Sequence, residues 1–201
     1  FAFYDYIYFW QPFFLYCALL SMIVGSLGAL YQKKVKRLMA YSGIANVGYM
    51  LAGFAGGSVE SVYALIFYLI IYVITTICFF SFLLGLHTQK DSKLSALIVD
   101  FTDLGKINPV LAFSVCLILF SMLGLPPLVG FFGKFYLFLV MIQSKFYFIA
   151  ISGILLSVVA AFYYIRLIKI MCFELFLSCK VYSRMCTINA YVLSYILFFI
   201  V

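Results

Sequence analysis

The sequence predicts an all-α, polytopic membrane protein of about six transmembrane helices, one of them discontinuous at Pro126-Pro127. Three observations carry that prediction. Of the 201 residues, 68% are hydrophobic and only 9% are charged, against roughly 45–50% and 25% in soluble domains. The apolar residues come in runs near the about 20 needed for a spanning helix, not in the alternating segments of about ten residues that build a transmembrane barrel. One run is cut by Gly124, Pro126, Pro127, Gly130 and Gly133. A proline has no N–H to donate and crowds the turn before it, so a helix arriving at Gly124 cannot continue unbroken.

The chain reads as a single transmembrane domain, 1–201. Its first span, about 9–30, follows an aromatic cluster (Tyr4, Tyr6, Tyr8, Phe9, Trp10) of the kind that sits at headgroup level. The basic loop 31–37 leads to a second span, 38–56, where Ser42, Asn46 and several small residues suit close helix packing. In the third, 62–86, Tyr68, Tyr72 and Thr76 recur at i, i+4 and i+8 and are expected to share a face. That face serves either interhelical hydrogen bonding or a hydroxyl-and-water wire. Residues 87–108 are a polar loop with His87 and both signs of charge. The broken unit, 109–143, comes next, then a span at 146–169, a basic stretch at 166–184 and a last span at about 186–201.

Loop charges decide how often the broken unit crosses. With one crossing, eleven Lys and Arg (in 31–37, 87–108 and 166–184) share a side and Lys145 alone takes the other; with two crossings the split is eight to four. The positive-inside rule favours the larger asymmetry. The unit is then a tilted, overlapped or partly unwound helix with its break near mid-membrane. Lys134 lies nine residues before Gln143, about 13 Å in helical rise and too deep to snorkel easily.

A charge at that depth costs roughly 2.5–3.5 kcal/mol even on a lenient insertion scale, and such residues mark ion or proton paths. The alternative is a packing kink with the lysine reaching the interface. Burial disfavours an ammonium and a nearby carboxylate favours it, so a moving charge could switch Lys134. No transmembrane carboxylate is expected in this chain; water or another subunit would supply the partner.

Other function classes are disfavoured. The formal net charge of +7 falls in short loops between apolar runs, where it sets orientation and does not form a nucleic-acid surface. The six cysteines (17, 78, 116, 172, 179 and 186) show no CxxC or Cys/His spacing and are expected to pack as small hydrophobes. Their spacing does not suit an iron–sulfur cluster, and there is no GxGxxG. A lone His87 at a helix end reads as an interface residue.

With these residues in hand, the chain resembles the C-terminal half of the subunit 2 branch of the antiporter-like subunits of respiratory NADH:ubiquinone oxidoreductase (complex I). The resemblance covers roughly residues 18–172. It rests on GSLGALYQKKVKRLMAYSGIANVGYM, FYLIIYVITT, the DLGK…P loop at 103–109, GLPPLVGFFGKFY and SVVAAFYYIRLI. Lys134 stands where the family has the lysine of its discontinuous helix and subunit 4 relatives carry glutamate. Tyr68, Tyr72 and Thr76 stand where the subunit 5 relative carries two histidines and a lysine.

The resemblance implies the second repeat of such a subunit in the mitochondrial inner membrane, with loops 31–37, 87–108 and 166–184 facing the matrix. It implies proton translocation with Lys134 as a mid-membrane carrier and Tyr72 and Thr76 ordering water, as in transporters built on broken helices. No cofactor or metal is expected in this chain; flavin, iron–sulfur clusters and quinone belong elsewhere in the complex. The expected partners are lipids and other membrane-arm subunits. They include a separate chain supplying the first repeat, with its transmembrane glutamate and two lysines; otherwise the sequence is a fragment. A scaffold that has lost pumping and a free-standing cation/proton antiporter subunit are the competing functions.

Overall fold

A computed structural model of the protein describes residues 6–85, 97–102, 104–126 and 128–173. It is an all-α bundle: α1 (Ile7–Leu30), α2 (Val35–Phe54), α3 (Val59–Gly85), a 3-10 turn (Ile98–Phe101), α4 (Leu104–Ile107), α5 (Pro109–Leu123), α6 (Val129–Gln143) and α7 (Tyr147–Cys172). The predicted last span, 186–201, lies outside the described residues, as do His87 and most of the loop around it.

The helices overrun the apolar runs that announce them. Hydropathy marks the slab of hydrocarbon, whereas the hydrogen-bond ladder runs on through Lys36 and Arg37, which belong to α2. α1, α3 and α7 are each long and apolar enough to cross a bilayer. Their outward faces are apolar: Ile70, Ile74 and Ile77 on α3, and Ile151, Leu155, Val158 and Phe162 on α7, are all exposed. α2 is more polar and packs tightly on α1 through small residues at Gly25, Gly28 and Gly48, as membrane helices do where backbones must approach closely.

The core lies in two stacked layers. One joins Ala29 of α1, Val35 and Leu38 of α2, Phe79 and Phe82 of α3, Val115 and Leu119 of α5, and Leu167 and Met171 of α7. The other joins Ala18 and Met22 of α1, Tyr49 and Ala52 of α2, Ala64 and Tyr68 of α3, Leu137 and Met141 of α6, and Ile149 and Ala150 of α7. Each of α1, α2, α3 and α7 runs through both layers, whereas α5 fills only the first and α6 only the second. The broken pair therefore traverses the bundle once, end to end, as the charge asymmetry predicts.

That traverse sorts the charges. The backbone N–H of Ile98 donates to Lys33 (3.0 Å), and Lys34 bridges Leu97. Arg166 donates from Nη1 to the Leu30 carbonyl at 3.4 Å. Lys33, Lys34, Lys36, Arg37, Lys106, Arg166 and Lys169 thus gather at one end, and Lys145 sits at the other, in the α6–α7 turn with φ 64°. The polar loop is less polar in place than in sequence: Ile98, Phe101 and Leu104 are buried in the first layer, sealing the basic end of the bundle.

Candidate functional site

The site forms where α5 stops. Gly124 takes the left-handed conformation (φ 86°, ψ 41°), and its N–H turns back to the carbonyls of Phe120 (3.0 Å) and Ser121 (3.1 Å). Glycine adopts this geometry without the clash that a Cβ brings. Leu125 also donates to Phe120, at 3.2 Å. These bonds leave the carbonyls of Met122 and Leu123 at the open end of the helix, where partial negative charge accumulates. Pro126 is exposed on the connection, and Pro127 lies outside the described residues. The chain re-enters helix at Val129, with Leu128 as its N-cap.

α6 begins beside the last turn of α5. A Cβ on Gly130 would run into the Ser121 carbonyl oxygen, so the two half-helices overlap by about a turn at a contact that admits only hydrogen. The overlap swings Lys134, one turn further along α6, back over the break. Its ammonium donates to the carbonyls of Met122 and Leu123, each at 2.9 Å. The side chain is 7% exposed, its stem runs past Gly124, and Nζ lies 5.7 Å from the centroid of the Tyr49 ring. Carbonyl dipoles at a helix C-terminus and an aromatic face meet the charge. Among the described side chains no carboxylate does so; Glu60 stands at the far end of α3.

Around the amine lies a polar layer between the two apolar ones. Tyr68 donates its hydroxyl to Asn46 Oδ1 at 3.0 Å, and its ring lies against Gly133. The Tyr164 hydroxyl lies among the side chains of Ser42, Asn46 and Tyr163, the two tyrosine rings being 4.5 Å apart. Asn46, Tyr68, Tyr72, Thr75, Ser121 and Lys134 line a cavity of about 10 Å³, measured as the space a water centre can occupy. That is close to the smallest cavity that holds one water, about 10–15 Å³.

The predicted face of α3 is corrected by one residue. Tyr68 and Tyr72 line the cavity, but Thr76 does not; its hydroxyl donates to the Tyr72 carbonyl of its own helix at 2.8 Å, and Thr75 takes the lining position. At about 100° per residue, an i+8 residue has drifted about 80° from residue i, whereas i+7 returns to within about 20°. Tyr49 and Ser121 were also not singled out. Ser42, Asn46 and Tyr49 at i, i+4 and i+7 on α2 carry the helical spacing that reveals Tyr49; Ser121 owes its place to the overlap, which no local pattern encodes. Cys116 and Cys172 bring their sulfurs to 3.5 Å across α5 and α7, another contact absent from sequence spacing.

Chemically, the arrangement is a buried amine with two acceptors in place, a third N–H, and hydroxyls gathered about a water-sized space. It can hold and release a proton.

The transmembrane family described as NADH:quinone oxidoreductase/Mrp antiporter matches residues 1–160. The chain is 44% identical over 165 residues to NADH-quinone oxidoreductase subunit N of Pelagibacter ubique, covering 82% of this chain and 35% of that protein. It is 40% identical over 191 residues to NADH-ubiquinone oxidoreductase chain 2 of Marchantia polymorpha, covering 95% and 38%. The chain thus spans little more than a third of the length of these relatives. Among solved structures it superposes on a chain of respiratory complex I from Thermus thermophilus with TM-score 0.80 and 28% identity, over 94% of this chain and 42% of that one. It matches a chain of an archaeal membrane-bound sulfane sulfur reductase equally well, with TM-score 0.80, 27% identity, and coverage of 94% and 38%.

Proposed function

Because the chain belongs to the NADH:quinone oxidoreductase/Mrp antiporter transmembrane family, we propose that it is the C-terminal half of a proton-translocating membrane-arm subunit of mitochondrial respiratory complex I. In this reading Lys134 is the mid-membrane proton carrier. One observation carries it: the Lys134 ammonium is buried, and it rests on the two carbonyls that the helix break exposes. Those carbonyls hold a cation well and a neutral amine poorly, because the attraction to a helix C-terminus is electrostatic. Protonation therefore fastens α6 to α5 and deprotonation loosens the same joint. The interrupted helix lets the protonation state of one side chain act on the geometry of the path, in keeping with non-helical backbone at depth being tolerated only where protein or water covers it.

Tyr68, Tyr72 and Thr75 line the approach to the amine. The basic end of the bundle faces the matrix by the positive-inside rule, which places Lys145 on the opposite side. The chain contributes to NADH:ubiquinone reduction without a redox site of its own, with flavin, iron–sulfur clusters and quinone held by other subunits. The reading covers the second repeat of such a subunit, in keeping with a chain that spans little more than a third of the length of its relatives.

The test is Lys134→Ala in the assembled complex, with NADH oxidation and proton movement measured together. The expected result is intact assembly with a lower proton-to-electron ratio. An unchanged ratio supports a scaffold and overturns the relay. Failure of the chain to co-purify with NADH dehydrogenase activity would instead favour a free-standing antiporter.

A further inference from the structure

We propose that Ser121 and Lys134 together build a site for a single ordered water, and that Ser121 is the positioning residue holding that water against the lysine amine. The inference rests on Lys134 being a proton carrier and adds the group that takes its proton.

The starting observation is Ser121 Oγ. The residue is 1% exposed, and its hydroxyl has no hydrogen-bond partner among the described residues. Ser114, in the same helix, shows the default: its Oγ donates to the Leu111 carbonyl at 2.8 Å. Ser121 forgoes that bond and lines the cavity beside Lys134. A buried hydroxyl left unsatisfied costs about 1–3 kcal/mol, so one facing a cavity of water size that it shares with the Lys134 amine and the Thr75 hydroxyl calls for an occupant.

The surroundings supply the two to four partners a buried water requires. Two of the three N–H bonds of Lys134 are committed to Met122 and Leu123, which leaves one for a water oxygen. The Thr75 hydroxyl spends its proton on the Ile71 and Tyr72 carbonyls, both at 3.0 Å, so its oxygen is free to accept. A water here accepts from Lys134 and donates to Ser121 Oγ and Thr75 Oγ1. The two half-helices and α3 each provide one of the three partners, so the site exists only while the break is closed.

The proton step balances without redox change. Lys134 gives an N–H proton to the water oxygen and keeps the electron pair as a neutral amine. The transient hydronium passes one of its own protons to Ser121 Oγ, which releases its hydroxyl proton into the cavity on the side of Tyr72, so both the water and the serine hydroxyl are regenerated.

The experiment compares Ser121→Ala, Ser121→Thr and Lys134→Ala in the assembled complex. Ser121→Ala removes a hydroxyl without changing the packing and is expected to assemble. Its NADH-driven proton uptake should slow roughly tenfold, less than the roughly 10²–10⁴ that a positioned proton donor or acceptor contributes, because Lys134 and Thr75 still hold the water loosely. The solvent deuterium isotope effect should rise as the handover becomes limiting, and Ser121→Thr should restore the rate. A cryo-EM map that resolves ordered waters should show one within hydrogen-bond distance of both Lys134 Nζ and Ser121 Oγ. Wild-type uptake and isotope effect in Ser121→Ala, or a map in which the Ser121 hydroxyl turns onto its own helix with nothing beside the amine, overturns the proposal. If that happens while Lys134→Ala abolishes pumping, only the water site falls; if Lys134→Ala pumps normally, the carrier reading falls first.

Discussion

Lys134 and Tyr68 illustrate two ways of keeping a polar group inside a greasy bundle. The lysine is satisfied by backbone at a helix end, so it needs no charged partner. Tyr68 is satisfied by Asn46 Oδ1, a neutral side-chain pair that ties α3 to α2 across the same layer. Tyr68→Phe keeps the ring over Gly133 and removes only the donor. It should cost about 1 kcal/mol, the usual scale for an interhelical hydrogen bond in a membrane. Thermal inactivation of the assembled complex should move down slightly while proton stoichiometry holds. A large loss of pumping with unchanged stability would instead give Tyr68 a place in proton transfer. Sequence spacing brought Lys134, Tyr68 and Tyr72 to notice because each stands out chemically or periodically; it chose Thr76 over Thr75 because a strict four-residue step drifts off a 3.6-residue face.

At the scale of the element, the discontinuous helix is two helices of 15 residues each, about 22 Å apiece at 1.5 Å per residue. Laid end to end they exceed the roughly 30 Å hydrocarbon core, and the overlap at Gly130 and Ser121 takes up part of the excess. Two substitutions separate the turn from the overlap. Gly124→Ala forces a Cβ into the left-handed region, at a cost of roughly 1–2 kcal/mol. Gly130→Ala drives a methyl into the Ser121 carbonyl oxygen, and backbone cannot move aside as a side chain can. The ordering expected from assembly yield is wild type, then Gly124→Ala, then Gly130→Ala with little or no assembled subunit. Normal assembly of Gly130→Ala would show that the half-helices do not touch there. The prolines announce that the helix stops, but the side-by-side join depends on which small residue meets which carbonyl.

For the whole molecule, the single traverse of α5 and α6 through successive core layers is what puts the basic residues at one end and Lys145 at the other. Cysteine substitutions at Lys106 and Lys145, both exposed, should react with a membrane-impermeant maleimide from opposite faces of a sealed membrane. Labelling from the same face would mean that the broken unit crosses twice and that the layered core is wrong. The same layering explains why the polar groups gather at mid-height: each end is closed by packed apolar side chains, including Phe101 and Leu104 from the loop that reads as polar in sequence.

The order of amino acids alone carries the fold class, the place of the helix break, the expectation of one crossing and a lysine set apart by its depth. Each of these follows from quantities that are local or additive: apolar run length, proline chemistry and the sum of loop charges. Only the tertiary structure decided what the lysine touches. The Met122 and Leu123 carbonyls, the Tyr49 ring, Ser121, Thr75 and the Asn46–Tyr68 bond come from three separate helices, α2, α3 and α5. Their meeting is set by how small residues let those helices approach and overlap, a property of packing between segments: spacing within a helix tells which residues share a face, not which face meets the lysine.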